Sequence, residues 1–323
     1  MEKEYLLEVN HLKKYFNLGH GNVLHAVDDL SFAIKKGETL GLVGESGCGK
    51  TTVGRTLVQL YEADGGEILY HGQDICKMSK KARKQENLTS KMQMIFQDPY
   101  ASLNPYFTVG EIVAEGLEIH RIGADRNERQ EIVYELLNRV GLHKEHANRF
   151  PHEFSGGQRQ RVGIARALAL NPEFIVCDEA TSALDVSVQA QIINMLIDLK
   201  QDMNLTYLVV AHDLSVVRYI SDRVAVMYLG QLVEIGSVDE VYDHSVHPYT
   251  IGLLDAVPVA DPDYEKNRII TTIKGEVFSP INPRSGCRFA SRCPYATELC
   301  STQTPELKSV GTDHYVACHH PVM

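Results

Sequence analysis

An α/β fold built on a parallel sheet is predicted by three features of the sequence. The stretch "GESGCGKT" sits between an apolar strand pattern, "ETLGLVG", and a helical one, "KTTVGRTLVQLY". Two apolar runs, "FIVCDEA" and "TYLVVAHD", flank the helical "VQAQIINMLIDLKQ", and such alternation favours parallel strands with helices on both faces. From about residue 255 the texture changes to Pro, turns and Cys, which reads as a separate appendix.

The elements follow in order. Residues 5 to 43 are β-rich, with "YLLEVNHL", "LSFAI" and "ETLGLVG" as short apolar runs broken by Gly and Asp. In "KTTVGRTLVQLY" the spacing puts Val53, Leu57, Leu60 and Tyr61 near one helical face. Residues from about 105 to 170 are mostly helical. "RNERQEIVYELLNRVG" closes on a Gly, and "GGQRQRVGIARALALNP" ends at Asn-Pro.

Composition bounds the function. A chain of 323 residues suffices for about two domains, and 44% hydrophobic with 23% charged residues is ordinary for a globular protein. A net charge of −10 argues against a nucleic-acid binder, which would show a basic face. The N-terminus has no export-signal pattern, and no run approaches the ~18 apolar residues of a membrane-spanning helix. The expectation is a soluble, cytoplasmic chain that meets a membrane only from the side.

"GESGCGKT" fits G-x-x-x-x-G-K-[ST] at Gly44, Gly49, Lys50 and Thr51. Backbone N–H groups of such a loop, through Ser46, Gly47 and Cys48, turn inward onto phosphate oxygens, and the following helix adds its dipole. Lys50 neutralises the β- and γ-phosphates, Thr51 offers a hydroxyl to Mg²⁺, and Thr52 meets the α-phosphate. Cys48, at a helix N-terminus, is expected to be a reactive thiol. Asp178 and Glu179 end an apolar strand, where an acidic pair suits Mg²⁺ binding and water activation. In "EFSGGQRQR", Ser155, Gly156, Gly157 and Gln158 open a second helix start fit for an anion.

With "IFQDP" (Gln97), "SALD" (Asp185) and "VVAHD" (His212), the chain resembles an ABC-transporter ATP-binding subunit over residues 5 to about 240. The resemblance implies a P-loop NTPase core with an N-terminal antiparallel β subdomain and a helical subdomain at about 105–165, together spanning 1–254. It also implies that ATP is sandwiched between the phosphate loop of one subunit and the SGGQ helix of another. Gln97 then touches Mg²⁺ and the attacking water, with Thr51 and Asp178 as further Mg²⁺ ligands. Glu179 is the general base, His212 contacts the γ-phosphate, and Asp185 crosses the dimer interface. Phe16, or the neighbouring Tyr15, stacks on adenine. Phe154 stands where many relatives have Leu, an apolar exchange.

"HPYTIGLLDAVP", "SPINPRSGCRFASRCPYA" and "FQDPYASLNP" are similar to the oligopeptide/dipeptide importers within that family. Implied partners are a second ATPase subunit, two transmembrane permease subunits and, indirectly, an extracytoplasmic binding protein. Nickel and glycoside importers share these features, and a soluble ABC ATPase of translation or DNA repair, or a non-hydrolysing ATP-binding module, is the reading from another class.

Four of the seven cysteines, Cys287, Cys293, Cys300 and Cys318, fall in the region 255–323, spaced by five, six and seventeen residues. Disulfides conflict with a cytoplasmic address, while Cys76 and Cys177 read as core thiols. Zinc favours closer pairs and four thiolates suit a [4Fe–4S] cluster, yet spacing alone leaves the two open. The importer resemblance implies the cluster, with His314, His319 and His320 as bystanders.

Overall fold

The computed structural model describes residues 5–257, 273, 275 and 278–322. It divides into two compact units, Met1–Cys76 with Val210–Met323, and Lys77–Val209. The first unit opens with β1 (Tyr5–Gly19), β2 (Asn22–Lys35), β3 (Thr39–Val43), β4 (Gly65–Tyr70) and β5 (Gln73–Asp74). The second unit holds β6 (Met92–Ile95) and β7 (Phe174–Asp178), and β8 (Thr206–Val210) ends at its boundary. The chain re-enters the first unit for β9 (Arg223–Tyr228), β10 (Gln231–Ser237), β11 (Lys308–Gly311) and β12 (His314–Val316).

In the first unit, β2-β1-β4-β5 form an antiparallel sheet, as the broken apolar runs near the N-terminus anticipate. A second set runs β11-β12-β10-β9-β3, parallel between β3 and β9 and antiparallel beyond. All five residues of β3 are buried, consistent with an inner parallel strand. The antiparallel extension follows from a two-residue hairpin turn, Leu229-Gly230, in which both residues have positive φ (43° and 86°).

In the second unit β8, β7 and β6 are neighbours, and β6 runs parallel to β7. The helices Val109–His120, Arg126–Arg139 and Gly156–Leu168 occupy the region expected to be helical. Their starts are fixed by side chains. Thr108 and Glu111 cap each other reciprocally, Asp125 accepts from the Glu128 N–H, and Ser155 and Gln158 form a second capping box.

The helix after "GESGCG" is shorter than its apolar spacing suggests. It spans Lys50–Leu57 and ends where Gln59 takes a left-handed conformation (φ 62°). Leu60 is consequently 56% exposed and does not join the Val53 and Leu57 face. A positive φ breaks the i to i+4 register, which apolar periodicity alone does not reveal.

The described part of the C-terminal segment shares the core of the first unit. Phe289 packs edge-on against Tyr228 with centroids 5.3 Å apart and beside Tyr249 at 5.5 Å. Those rings join Val43, Val224 and Val226 of the sheet. A segment this short buries too little surface to hold a core alone. β12 extends β10 by pairing Ile235 with Tyr315 and Glu234 with Val316.

Glu234 has no exposed surface, and its carboxylate accepts from the N–H groups of Val246 and His247 and pairs with His314 Nε2 at 2.8 Å. The hydrogen bond to Glu234 raises the His314 pKa against its burial. His247 goes the other way. Burial lowers its pKa from 6.5 to about 4, only partly offset by the Glu234 charge, and its Nδ1 accepts from the Tyr249 N–H.

Below 6.5 the unfolded chain therefore protonates His247 while the folded chain does not, so folding stability falls as pH drops from 6.5 to about 4. The loss attributable to this group is about 3 kcal/mol at most. Asn retains an N-cap acceptor without titrating. Chemical denaturation across that window should show a shallower acid slope for His247→Asn than for the wild type, and equal slopes would refute the assignment.

Candidate functional site

The loop expected to bind phosphate, residues 44–49, runs from the end of β3 into the helix Lys50–Leu57. Its conformation depends on glycine at defined points. Gly49 has φ 108°, and a Cβ there would lie 2.0 Å from the Ala26 carbonyl oxygen. At Gly44 (φ 151°) a Cβ would lie 2.1 Å from the Met227 carbonyl oxygen. The loop is also pinned from behind, since the Gly230 N–H at the β9–β10 turn donates to the Cys48 carbonyl at 2.9 Å. Ser46 and Gly47 are exposed at the tip, while Thr51 and Thr52 are half-buried.

Lys50 is 5% exposed, and its ammonium donates to the carbonyls of Gly44 (2.8 Å) and Glu45 (3.1 Å). A buried cation is thus held within the loop by backbone oxygens. The expectation of a reactive Cys48 is not met. Its side chain is buried at 3% exposure, and desolvation raises its pKa despite the Lys50 charge nearby. Burial outweighs the helix-terminus effect, and a buried thiol is inert.

The aromatics near the N-terminus differ in setting. Tyr15 lies against His25 with centroids 4.1 Å apart, and its hydroxyl donates to Asp28 at 2.5 Å. Burial and the Asp28 bond raise the Tyr15 pKa. Burial opposes ionisation of Asp28, but Tyr15, Arg288 and His25 together lower its pKa. Phe16 is half-buried and meets Tyr61 edge-on at 5.5 Å. His212 is exposed, just ahead of the helix Leu214–Ile220 that Asp213 caps.

In the second unit, Asp178 ends β7 at 1% exposure. Glu179 follows with φ 46°, a left-handed conformation that non-glycine residues adopt at a cost. Gln97 Nε2 donates to Glu179 Oε2 at 2.6 Å, which brings two predicted site residues together. Asp185 caps the helix Val186–Met203 by accepting from the Val188 N–H at 3.0 Å, and the Ser187 hydroxyl helps to lower its pKa.

Ser155 and Gln158 spend their polar tips on each other's backbone, at 3.3 and 3.0 Å. Gly156 and Gly157 form the first helical turn behind that cap, and a Cβ on Gly157 would lie 2.4 Å from Val188 Cγ1. Phe154 is buried and meets His146 edge-on.

All seven cysteines are free thiols. Cys177 is fully within the core, its pKa pushed up to about 12 by burial. The four C-terminal thiols share a neighbourhood, for burial and then Cys300, Cys318 and Cys293 push Cys287 up to about 11. Among the described residues, no group of three or more His, Cys, Asp or Glu side chains is arranged to hold a metal ion. The grouping of the thiols is present without a ligand-distance set.

Sequence reasoning gave no role to Glu45 within the loop, nor to Tyr249 and Arg292, which the structure joins to it. "HPYT" and "SRCP" carried their only signal, and sequence separations of 204 and 247 residues hid the contact.

A profile described as ABC transporter matches residues 27–182, and one described as the C-terminal region of oligopeptide/dipeptide transporters matches 233–300. Over 316 residues the chain is 54% identical to the oligopeptide transport ATP-binding protein OppF of Bacillus subtilis, covering 98% of this chain and 96% of that one. OppF of Haemophilus influenzae is 50% identical over 98% of this chain and 97% of its own. Among solved structures, a dimeric post-hydrolysis state of the ATP-binding cassette MJ0796, bound to ADP and Pi, aligns with TM-score 0.65 and 29% identity over 72% of this chain and 98% of that one. CbiO1 of Clostridium perfringens, part of the ABC transporter complex CbiONQ, aligns with TM-score 0.65 and 27% identity, covering 75% and 92% of the two chains. Among the described residues no helix is long and apolar enough to cross a membrane. The chain belongs to the ATP-hydrolysing subunits of ABC transporters, in the oligopeptide/dipeptide family.

Proposed function

We propose that this chain is one of two nucleotide-binding subunits whose ATP hydrolysis drives import of dipeptides and oligopeptides through a membrane permease. The observation that carries the reading is that one chain holds two helix starts fit for phosphate, the Gly44–Thr52 loop and the Ser155-capped helix. One nucleotide needs one loop, so the second start serves the nucleotide of a partner subunit. Lys50 and the loop N–H groups hold the β- and γ-phosphates, while Thr51, Gln97 and Asp178 hold Mg²⁺. Glu179 takes the proton of the attacking water, and Gln97, already bonded to it, orients both. His212 meets the γ-phosphate, Asp185 and the Ser155–Gln158 cap face the partner, and Phe16 or Tyr15 stacks on the base.

Glu179→Gln keeps the shape of the site and removes the base. ATP binding should persist while hydrolysis falls by about 10²–10⁴-fold, leaving a nucleotide-bound dimer on gel filtration. Normal turnover by this variant in the assembled transporter would sink the assignment. Lys50→Ala should instead weaken nucleotide binding itself.

Two permease subunits and, through them, an extracytoplasmic binding protein complete the transporter, with this chain peripheral on the cytoplasmic face. The second unit carries a groove of about 640 Å³ lined by Phe107, Glu111, Ala114, Glu118, Arg129 and Tyr134. Its mixed lining of apolar and charged side chains suits a short amphipathic helix from the permease. Filling it with Ala114→Arg should cut peptide uptake at least tenfold while ATP turnover falls far less. Permease crosslinks that map only to residues 278–322 would be contrary.

Cys287, Cys293, Cys300 and Cys318 are further proposed to ligate a [4Fe–4S] cluster, with zinc as the alternative. Their shared neighbourhood and freedom from disulfides support this reading. Such a centre would supply folding energy to a segment with little core of its own. Anaerobically purified protein should be brown and contain iron and acid-labile sulfide. A colourless preparation with about one zinc per chain would overturn the cluster.

A further inference from the structure

The C-terminal segment reaches the phosphate loop directly. Glu45, the second residue of "GESGCGKT", is held at both ends. Its backbone N–H donates to the Tyr249 hydroxyl at 2.9 Å, and Arg292 Nη1 donates to both carboxylate oxygens at 3.1 and 3.0 Å. Arg292 also donates to the Tyr228 hydroxyl at 3.3 Å, and its side chain is only 8% exposed. Since the Glu45 carbonyl accepts from Lys50 Nζ, one residue connects Arg292 to the cation of the loop.

A second arm lies nearer the chain's start. Arg288 pairs with Asp28, whose other oxygen accepts from the Tyr15 hydroxyl. Thus two arginines four residues apart hold two separate elements, the loop and the aromatic strand β1. Both residues are half-buried, and among the described residues each keeps one buried side-chain nitrogen without a partner, Arg292 Nε and Arg288 Nη1. An apolar side chain would close the same surface without that desolvation cost, so packing alone does not account for them. Arg288 directly follows Cys287 and Arg292 directly precedes Cys293, so whatever fixes those thiols also fixes the arginines.

We propose that the C-terminal segment positions the nucleotide site, with Arg292 and Tyr249 holding the phosphate loop through Glu45 and Arg288 holding Tyr15 through Asp28. This rests on reading residues 44–52 as the phosphate loop. Arg292 and Arg288 are positioning residues, acting through Glu45 and Asp28. The first arm bears on any polyphosphate, the second only on a ligand that carries a base.

Equilibrium binding of ATP and of inorganic tripolyphosphate to the full chain separates the two arms. Arg292→Ala should weaken both ligands by about 3–10-fold and raise the KM for ATP in step, with kcat changed less than about twofold. Arg292→Lys should recover part of the loss, because an ammonium cannot match the guanidinium fork. Glu45→Gln combined with Arg292→Ala should bind no worse than the weaker single variant. Arg288→Ala should weaken ATP and leave tripolyphosphate unchanged. Wild-type ATP affinity in both Arg292 variants overturns the proposal, as does an equal loss of tripolyphosphate binding for the two arms. Should Arg292→Ala fail to fold, Arg292→Lys and the Glu45→Gln variant are read by the same criteria. Lys50→Ala serves as the control, for if it binds ATP normally the loop reading itself falls and the proposal with it.

Discussion

A loop that curls as tightly as residues 44–49 leaves no room for side chains on its inner face. At Gly49 and Gly44 that constraint is visible as a missing Cβ, each of which would strike a carbonyl oxygen within 2.1 Å. The two obstructing carbonyls belong to Ala26 on β2 and Met227 on β9, so both sheets of the first unit are built around the loop. The β9–β10 turn adds a third restraint through Gly230 and Cys48. Much of the first unit can be read as a scaffold that holds a loop of defined shape in place before a ligand arrives.

Charge that is buried or half-buried is the recurring expense of this scaffold, and each case is met by hydrogen bonds. Lys50 rests on two carbonyls, Glu234 on two N–H groups and a histidine, and Asp28 on a tyrosine and an arginine. An ion left unpaired in such settings destabilises by about 3–5 kcal/mol. His314 and His247 sit at the same Glu234 with opposite pKa shifts. The difference is geometric: His314 bonds the carboxylate through its ring, whereas His247 meets it through its backbone and gives its ring nitrogen to the next turn.

The strands and helices around the expected site residues were legible because their signals are local. "GESGCGKT", "EFSGGQRQR" and the two apolar runs around residues 174 and 206 encode backbone shape within a few residues. What was not legible depends on distance or on a single dihedral. The helix stop at Gln59 and the left-handed Glu179 are one-residue events with no compositional mark. Cys48 looked reactive because a helix start is legible and burial is not. The Arg292–Glu45 pair joins residues 247 apart, and only the packing of Phe289 on Tyr228 explains how the segment arrives there.

Glu179 concentrates these themes. Asp178 continues the strand β7, but the next residue turns left-handed, which for a side chain with a Cβ costs about 1 kcal/mol or more. The turn is retained by local bonds, since the Glu179 carbonyl accepts from the Ser182 N–H at 3.1 Å and its hydroxyl at 3.0 Å. Had the strand simply continued, alternation would send residue 179 to the opposite face from Asp178. The left-handed step breaks that alternation, leaving one carboxylate at 1% exposure and the next half-buried and bonded to Gln97. Two adjacent acids thereby acquire different environments, which is the condition under which neighbouring carboxyls can ionise differently.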